Sequence, residues 1–342
     1  MSKKVLIALS GGVDSSVAAH LMLKQGYECI GATMQLLDNA ENQIADAESV
    51  AKRLGIPFYT FDMRKEFREK IIDEFIKSYE NCETPNPCVL CNREMKFGML
   101  LDKAKVLGCD FIATGHYAKV EYQNGRFILK KAETLKKDQS YFLYSLSQEQ
   151  LSRVKFPLGG YSKDDIRAIA GKLGLITAQK KDSQDICFVP NGDYIKVIED
   201  LTHKTYPKGN FTDTTGNILG QHQGIIRYTT GQRKGLGVAF GKPMYVKSKN
   251  QTTNEVTLCA DEELYETEIN VGNLSWIAFD KIPATFQCSA RIRYRHIEQP
   301  ALVSVNGDTA TVKFQTPQRA ATVGQSAVFY DGDCVLGGGI IK

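Results

Sequence analysis

At 342 residues the chain is long enough for two or three domains, each with its own core. No apolar run approaches membrane-spanning length, the net charge is only +4, and Met1-Ser2-Lys3-Lys4 leads straight into a strand, so a cytoplasmic protein without signal segment or membrane partner is expected. Nine cysteines, an odd and scattered set, argue against a disulfide framework and leave thiols that are either buried or chemically active.

The predicted elements begin with a buried strand, Val5-Leu6-Ile7-Ala8-Leu9. It feeds Ser10-Gly11-Gly12-Val13-Asp14-Ser15-Ser16 and a helix from about Ser15 to a stop at Gly26. Next come a strand over Cys29–Gln35, a helix over Asn42–Leu54 ending at Gly55, and a strand over Phe58–Met63. A long helix over Arg64–Tyr79 is followed by a polar, proline-broken loop over 81–91. A helix over Arg93–Leu107 and a strand over Asp110–Thr114 close the unit. This rhythm predicts an α/β fold whose parallel sheet carries helices on both faces. Ligands of such sheets lie beyond the carboxyl ends of the strands. Residues 10–16, Met34 and Thr114-Gly115-His116-Tyr117 all stand at such ends and are expected to share one nucleotide pocket.

In residues 10–16 two glycines let the backbone turn tightly against an anion. The hydroxyls of Ser10, Ser15 and Ser16 and the amides of the helix N-terminus offer donors to phosphate oxygens. Asp14 in that setting reads as a Mg²⁺ ligand or a helix cap. No Gly-Lys-Ser/Thr follows, so this is not a Walker loop. The stretch resembles the phosphate loop of the ATP-pyrophosphatase (PP-loop) enzymes, which cut ATP between its α- and β-phosphates and adenylate a carbonyl oxygen.

Beyond Ala118 the pattern changes. Val120-Glu121-Tyr122 and Arg126-Phe127-Ile128-Leu129 flank Gln123-Asn124-Gly125, a hairpin signal. Ser162–Leu173 reads as a helix capped by Ser162, with Asp164 and Asp165 in its first turn. From about residue 205 short runs such as Glu255–Cys259, Ala301–Val305, Thr309–Phe314 and Ser326–Tyr330 predict two small β modules. The expected division is 1–200, a catalytic domain with an inserted hairpin; 201–268, a small central domain; and 269–342, a C-terminal β-barrel. Residues 201–260 carry eight Lys/Arg against Asp213 and Glu255, more excess charge than the whole chain, which suggests a polyanionic partner. Arg291, Arg293 and Arg295 alternate along a predicted strand and would share one face. His20 and Trp276 read as packing residues, and His203, His222 and His296 lack metal-ligand spacing.

Two cysteine segments stand out. In Thr84-Pro85-Asn86-Pro87-Cys88-Val89-Leu90-Cys91-Asn92 the prolines hold a loop, and Cys91 precedes a helix whose positive end should favour thiolate. Ser183-Gln184-Asp185-Ile186-Cys187-Phe188-Val189 reads as a strand presenting Cys187 at its end. Three readings fit: incidental cysteines, as Cys29, Cys109, Cys259, Cys288 and Cys334 read; a Cys91–Cys187 pair that handles sulfur; or Cys88, Cys91 and Cys187 as ligands of an iron–sulfur cluster with one open iron.

Over nearly its full length the chain resembles the tRNA-specific 2-thiouridylases. The segments that carry the resemblance are Ser10–Ser16, Thr84–Pro87 with Leu90-Cys91-Asn92, Lys96-Phe97, Ala113–Tyr117 and Lys137–Leu143. Further segments are Lys181–Val189, Tyr228–Leu236, Arg291–Tyr294 and Gly324–Ala327. The resemblance implies ATP-dependent 2-thiolation of the wobble uridine in tRNAs for Lys, Glu and Gln. ATP would be bound by Ala8, Leu9, Ser10, Gly11, Gly12, Val13, Asp14, Ser15, Met34 and Gly115. A persulfide would sit on Cys187, with Cys91 as the partner nucleophile and a Cys91–Cys187 disulfide left for later reduction. Asn86, Pro87 and Cys88 would approach the base; Lys137, Asp138, Gln139, Arg293 and Tyr294 would meet the tRNA; His116 and Gln325 are further candidates. ATP and Mg²⁺ are the implied cofactors. The implied partners are tRNA and a sulfur donor, either a cysteine desulfurase or a sulfur relay protein.

One departure matters. The better-known form of the family carries Asp, a proposed general acid/base, where this chain has Cys88, and a thiol of pKa ~8.5 replaces it poorly. Cys88-x-x-Cys91 with Cys187 also fits a [4Fe-4S] sulfur transferase, so persulfide and cluster chemistry both stay open here. Another AMP-forming PP-loop ligase, or an RNA-binding protein without catalysis, are the alternatives outside thiolation.

Overall fold

The computed structural model describes residues 2–174, 185–239 and 241–342. The first unit alternates as expected: β1 (Lys4–Ala8), α1 (Val13–Lys24), β2 (Glu28–Gln35), α2 (Glu41–Leu54), β3 (Phe58–Asp62), α3 (Arg64–Phe67) and, after a π-helical stretch at Arg68–Ile72, α4 (Asp73–Glu80). There follow α5 (Pro87–Leu90), a second π-helical stretch (Cys91–Met99), α6 (Leu100–Val106), β4 (Phe111–Ala113) and the hairpin β5 (Ala118–Gln123) and β6 (Arg126–Lys131). Then come α7 (Gln148–Ser152), β7 (Val154–Lys155), α8 (Lys163–Lys172) and α9 (Tyr194–Thr202).

The five-stranded sheet is parallel in the order β3-β2-β1-β4-β7. Its inner strands β1, β2 and β4 are largely apolar on both sides because both faces are covered there, whereas the edge strand β3 exposes Tyr59 and Thr60. Leu6, Ile30 and Ile112 pack against Phe67, Ile71, Phe75 and Leu100. Val5, Ile7 and Ala113 pack on the other face against Val17, Leu21, Ala47 and Ile166. The order reverses between β1 and β4, which is where such sheets open a crevice for ligands.

The central region builds a four-stranded sheet, β10-β11-β8-β9, from β8 (Gly209–Thr212), β9 (Ile218–His222), β10 (Tyr245–Asn250) and β11 (Glu255–Cys259). The C-terminal strands are β12 (Tyr265–Trp276), β13 (Thr285–Arg291), β14 (Gln299–Asn306), β15 (Thr309–Arg319), β16 (Ser326–Asp331) and β17 (Cys334–Ile341). They close into a barrel because β12 pairs with β15 on one side and with β17 on the other. Trp276 lies in its core, stacked 5.8 Å from Phe329.

Three local expectations are corrected. The hairpin forms at Asn124-Gly125, both at positive φ, but it extends the barrel sheet through Lys130–Cys334 instead of staying with the first unit. The loop expected over 81–91 ends early, because Pro87 is tolerated at the first helical position and starts α5 there. The arginine row does not form, since β13 ends at Arg291 and leaves Arg293 and Arg295 beyond the strand.

The hairpin is fastened to the barrel by buried charge. Asp138, 2% exposed, accepts from the backbone N–H groups of Ala132 and Ser140 and from the Ser140 hydroxyl at 2.8 Å, and faces Arg291 at 3.7 Å. Arg291 in turn donates to Glu298 at 2.8 Å, and Lys131 holds the other Glu298 oxygen at the same distance. Removing Asp138 leaves Arg291 with Glu298 alone and strips the buried N–H groups of Ala132 and Ser140 of their acceptor. Asp138→Ala is therefore expected to cost about 3 kcal/mol of stability by denaturant unfolding, far more than a surface Asp→Ala change.

Candidate active site

The phosphate loop forms as its sequence predicts. β1 ends at Ala8, and α1 starts at Val13 with Gly12 as a cap that brings no side chain, so the first-turn N–H groups stay available to an anion. Gly115, after β4, lies hard against this turn. A Cβ there would stand 2.8 Å from the Asp14 carbonyl carbon and the Ser15 nitrogen, so only glycine fits. The loops after β1 and β4 thus make one cradle, with half-buried Met34 at the end of β2.

The serine hydroxyls are less open than expected. Ser16, fully buried, donates to Gly12 O at 2.8 Å, and Ser15 accepts from Ser10 N–H at 3.1 Å while lying 3.2 Å from the Ser10 hydroxyl. They shape the loop, which leaves its amides as the donors. Asp14 is not a cap. Its carboxylate accepts from Lys163 at 2.7 and 2.8 Å and from the Tyr117 hydroxyl at 2.8 Å. Tyr117 is itself placed by Gln139, whose side-chain Oε1 accepts from Tyr117 N–H at 2.9 Å and whose own N–H donates to Tyr117 O at 2.8 Å, so Gln139 is an organiser of this pocket.

The second segment is built by α5. Pro87 is buried, Cys88 is exposed, and Cys91 lies buried one turn on, at the start of the π-helical stretch. Such stretches are rare and cluster at functional sites. Cys187 sits in a turn, not at a strand end, and Lys181–Gln184 lie outside the described residues. It is nonetheless beside the other two thiols, 96 positions from Cys91 in sequence.

The electrostatics of this trio reverse one expectation. Burial raises the Cys91 thiol above its ordinary range, Lys96 pulls it back only in part, and Cys88 pushes it up further. Burial raises Cys88 as well, again opposed by Lys96. Cys187 is pushed up to about 11 by desolvation and then by Cys91 and Cys88, even though its surface is accessible. The helix end does not prevail, because burial is the largest contribution at each thiol and, at Cys91 and Cys187, the neighbouring thiols add to it.

Lys96 is the residue that sequence reading passed over. It was quoted in a motif, but its placement against Cys88, Cys91, Cys187 and His116 shows only in the fold. No spacing signalled it: five residues apart on an α-helix, 91 and 96 stand about 140° apart around the axis, and the π-helical stretch brings them toward one side. His116 is held neutral, well below its ordinary range, by burial and then by Lys96. Its Nδ1 lies 2.7 Å from the Thr114 hydroxyl, and its ring packs against Phe97 and Phe156.

Several expected RNA contacts are occupied within the chain. Asp138 is buried and its acceptors are filled, so it faces no RNA. Arg293, half-buried, donates to Arg319 O at 2.8 Å. Gln325 donates to Thr84 O at 2.8 Å and to Pro85 O at 3.4 Å, so it positions the loop before Asn86. Tyr294 lies half-buried with its ring 4.5 Å from Phe142, and Lys137 and Asn86 are partly exposed.

Among the described residues no three His, Cys, Asp or Glu side chains converge closely enough to hold a metal ion. The Asp14 carboxylate is already engaged by Lys163 and Tyr117.

Alkylation tests the thiol electrostatics. Iodoacetamide labelling of Cys187, followed by peptide mass spectrometry, should be slow at neutral pH and rise roughly tenfold per pH unit up to its pKa of about 11. Lys96→Met should shift that profile to higher pH, because it removes the cation that favours thiolate; an unchanged profile would remove Lys96 from the site.

Comparison with known proteins agrees along the whole chain. Family models match a tRNA methyl transferase HUP domain over residues 3–191, a tRNA methyl transferase PRC-barrel domain over 196–260 and an aminomethyltransferase beta-barrel domain over 266–341. The tRNA-specific 2-thiouridylase MnmA 2 of Clostridium tetani is 48% identical over 100% of this chain and 99% of its own. The tRNA-specific 2-thiouridylase MnmA of Acetivibrio thermocellus is 48% identical over 99% of each. A solved 4-thiouridine synthetase–RNA complex with bound ATP aligns at 19% identity over 58% of this chain and 50% of that one, with a TM-score of 0.37.

Proposed function

Because the chain belongs to the tRNA-specific 2-thiouridylase family, we propose that it is an ATP-dependent tRNA sulfurtransferase acting at C2 of the wobble uridine in tRNAs of the Lys, Glu and Gln type. The observation that supports the mechanism is that Cys91, Cys187 and Lys96 lie near enough to feel one another's charge, in the same unit as a phosphate cradle. Thiolation needs both parts, an activated carbonyl and a sulfur carrier.

In the first step the uridine O2 attacks the α-phosphorus of ATP, and pyrophosphate leaves with the bonding pair. The cradle of α1 amides, Gly11, Gly12 and Gly115 holds the phosphates, while Mg²⁺ accompanies the phosphates of ATP. In the second step the outer sulfur of a Cys187 persulfide bonds to C2. The Cys91 thiolate then attacks Cys187 Sγ and breaks the S–S bond. The two cysteines leave oxidised as a disulfide, the transferred sulfur is reduced and stays on C2, and AMP departs with the former O2. An external thiol reduces the disulfide, and a cysteine desulfurase or sulfur relay protein reloads Cys187.

The raised thiol values suit this order. Two thiolates in one poorly hydrated corner are disfavoured, so one cysteine holds sulfur while the other stays protonated until Lys96 supports its ionisation. A base must leave its stack to reach the site, which a flexible anticodon loop permits.

The test is 2-thiouridine in digested tRNA, read by mass spectrometry after incubation with metal-free enzyme, ATP, Mg²⁺ and a persulfide donor. Product is expected. Cys187→Ser should abolish it, and Cys91→Ser should lose thiolation while still releasing pyrophosphate. Activity that appears only after anaerobic iron–sulfide reconstitution would overturn the persulfide route in favour of Cys88, Cys91 and Cys187 as cluster ligands.

A further inference from the structure

The phosphate loop contains no lysine, yet ATP brings it several negative charges and Asp14 adds another. Mg²⁺ brought with ATP offsets part of that charge, and any side-chain cation that offsets more has to come from elsewhere in the fold. Lys163 stands at the first position of α8, 149 residues from Asp14, and only 9% of its side chain is exposed. Its ammonium lies 2.7 and 2.8 Å from the two Asp14 oxygens and 5.9 Å above the Tyr117 ring, while the Tyr117 hydroxyl donates to the same carboxylate. Asp14 belongs to the first turn of α1, the turn that Gly115 closes against. The buried cation is thus one carboxylate away from the phosphate cradle.

Stability alone is a weak reason for this arrangement. A buried ion pair roughly cancels its own desolvation cost, and apolar side chains would fill the same volume at least as well. A lysine in this position does have a use in chemistry at phosphorus.

We propose that Lys163 handles phosphate in the adenylation step: its ammonium, held here on Asp14, passes to the pyrophosphate half of ATP and takes up the charge that develops there. The bond formed joins uridine O2 to the α-phosphorus. The bond broken joins that phosphorus to the bridging oxygen, which keeps the electron pair, and no proton moves. A preorganised cation at that oxygen is worth most where water is excluded. The inference rests on the reading that ATP is the adenylating substrate.

The test compares the full-length protein with Lys163→Gln, Lys163→Arg and the double variant Asp14→Asn/Lys163→Gln. Equilibrium dialysis measures inorganic pyrophosphate and AMP binding, and a coupled assay measures pyrophosphate release with ATP and tRNA. Lys163→Gln should bind pyrophosphate at least ~10-fold more weakly and AMP within about twofold of the parent. Its pyrophosphate release should slow by about 10²-fold, with part of the loss recovered by Lys163→Arg. The double variant leaves no unpaired buried charge, so it should melt near the parent and remain slow. Parental pyrophosphate affinity in Lys163→Gln would overturn the proposal. So would equal loss of AMP and pyrophosphate binding, which is what a collapsed loop would give. If the parent itself binds neither ATP nor pyrophosphate, the adenylation reading fails, and the role of Lys163 fails with it.

Discussion

The loop that leads to Cys88 and Cys91 is held from two domains at once. Between the end of α4 and Pro87 the backbone belongs to no sheet or helix; the N–H groups of Asn81, Cys82 and Glu83 bond back to α4, and the next fixed points come from the barrel. Thr84 N–H donates to Val323 O at 2.8 Å, and the Gln325 amide returns to Thr84 O at the same distance. Gly324 sits between them at φ +91°, and any Cβ there would strike the backbone of Thr84. The position of Cys88 and Cys91 is therefore set by a strand connection that contains none of the chemistry. The hairpin β5–β6 and the Asp138–Arg291–Glu298–Lys131 network fix the barrel in place, so the buried charge acts at one remove on the thiols.

Charge in the site follows one rule, that each ionic group has its partner within the cleft. Asp14 has Lys163, and the three cysteines have Lys96. The consequence is opposite in the two cases. The carboxylate is matched one to one, whereas among the described residues a single ammonium faces three thiols and cannot support three anions. One half of the site is thereby neutral at rest, and the other is protonated at rest.

What was legible in the sequence was what local chain geometry decides. The phosphate loop needs only a strand, two glycines and a helix, all within a dozen residues, and the hairpin needs only Asn124-Gly125 between alternating runs. The ends of β1, β2 and β4 could be assigned because the strand–helix rhythm dictates where a parallel sheet binds its ligand. The misreadings share a different cause. Cys91 was expected to ionise at a helix end, but Pro87 moved that end earlier and burial outweighed the dipole. Asp138 was expected to meet the tRNA, on the resemblance alone, because Arg291, which helps to bury it, is so remote in sequence. Lys163 left no local trace at all, since its meaning lies wholly in a carboxylate 149 positions away.

The clamp on the catalytic loop also has a history within each molecule. Thr84 and Gln325 are separated by 241 residues, so a ribosome has long finished the first sheet before the barrel connection exists. During synthesis the phosphate cradle can form early, while the cysteine loop waits for the last strands to close the barrel. On the proposed function the nucleotide cradle thus precedes the sulfur-handling thiols, which are set in their final geometry only when almost the whole chain has been made.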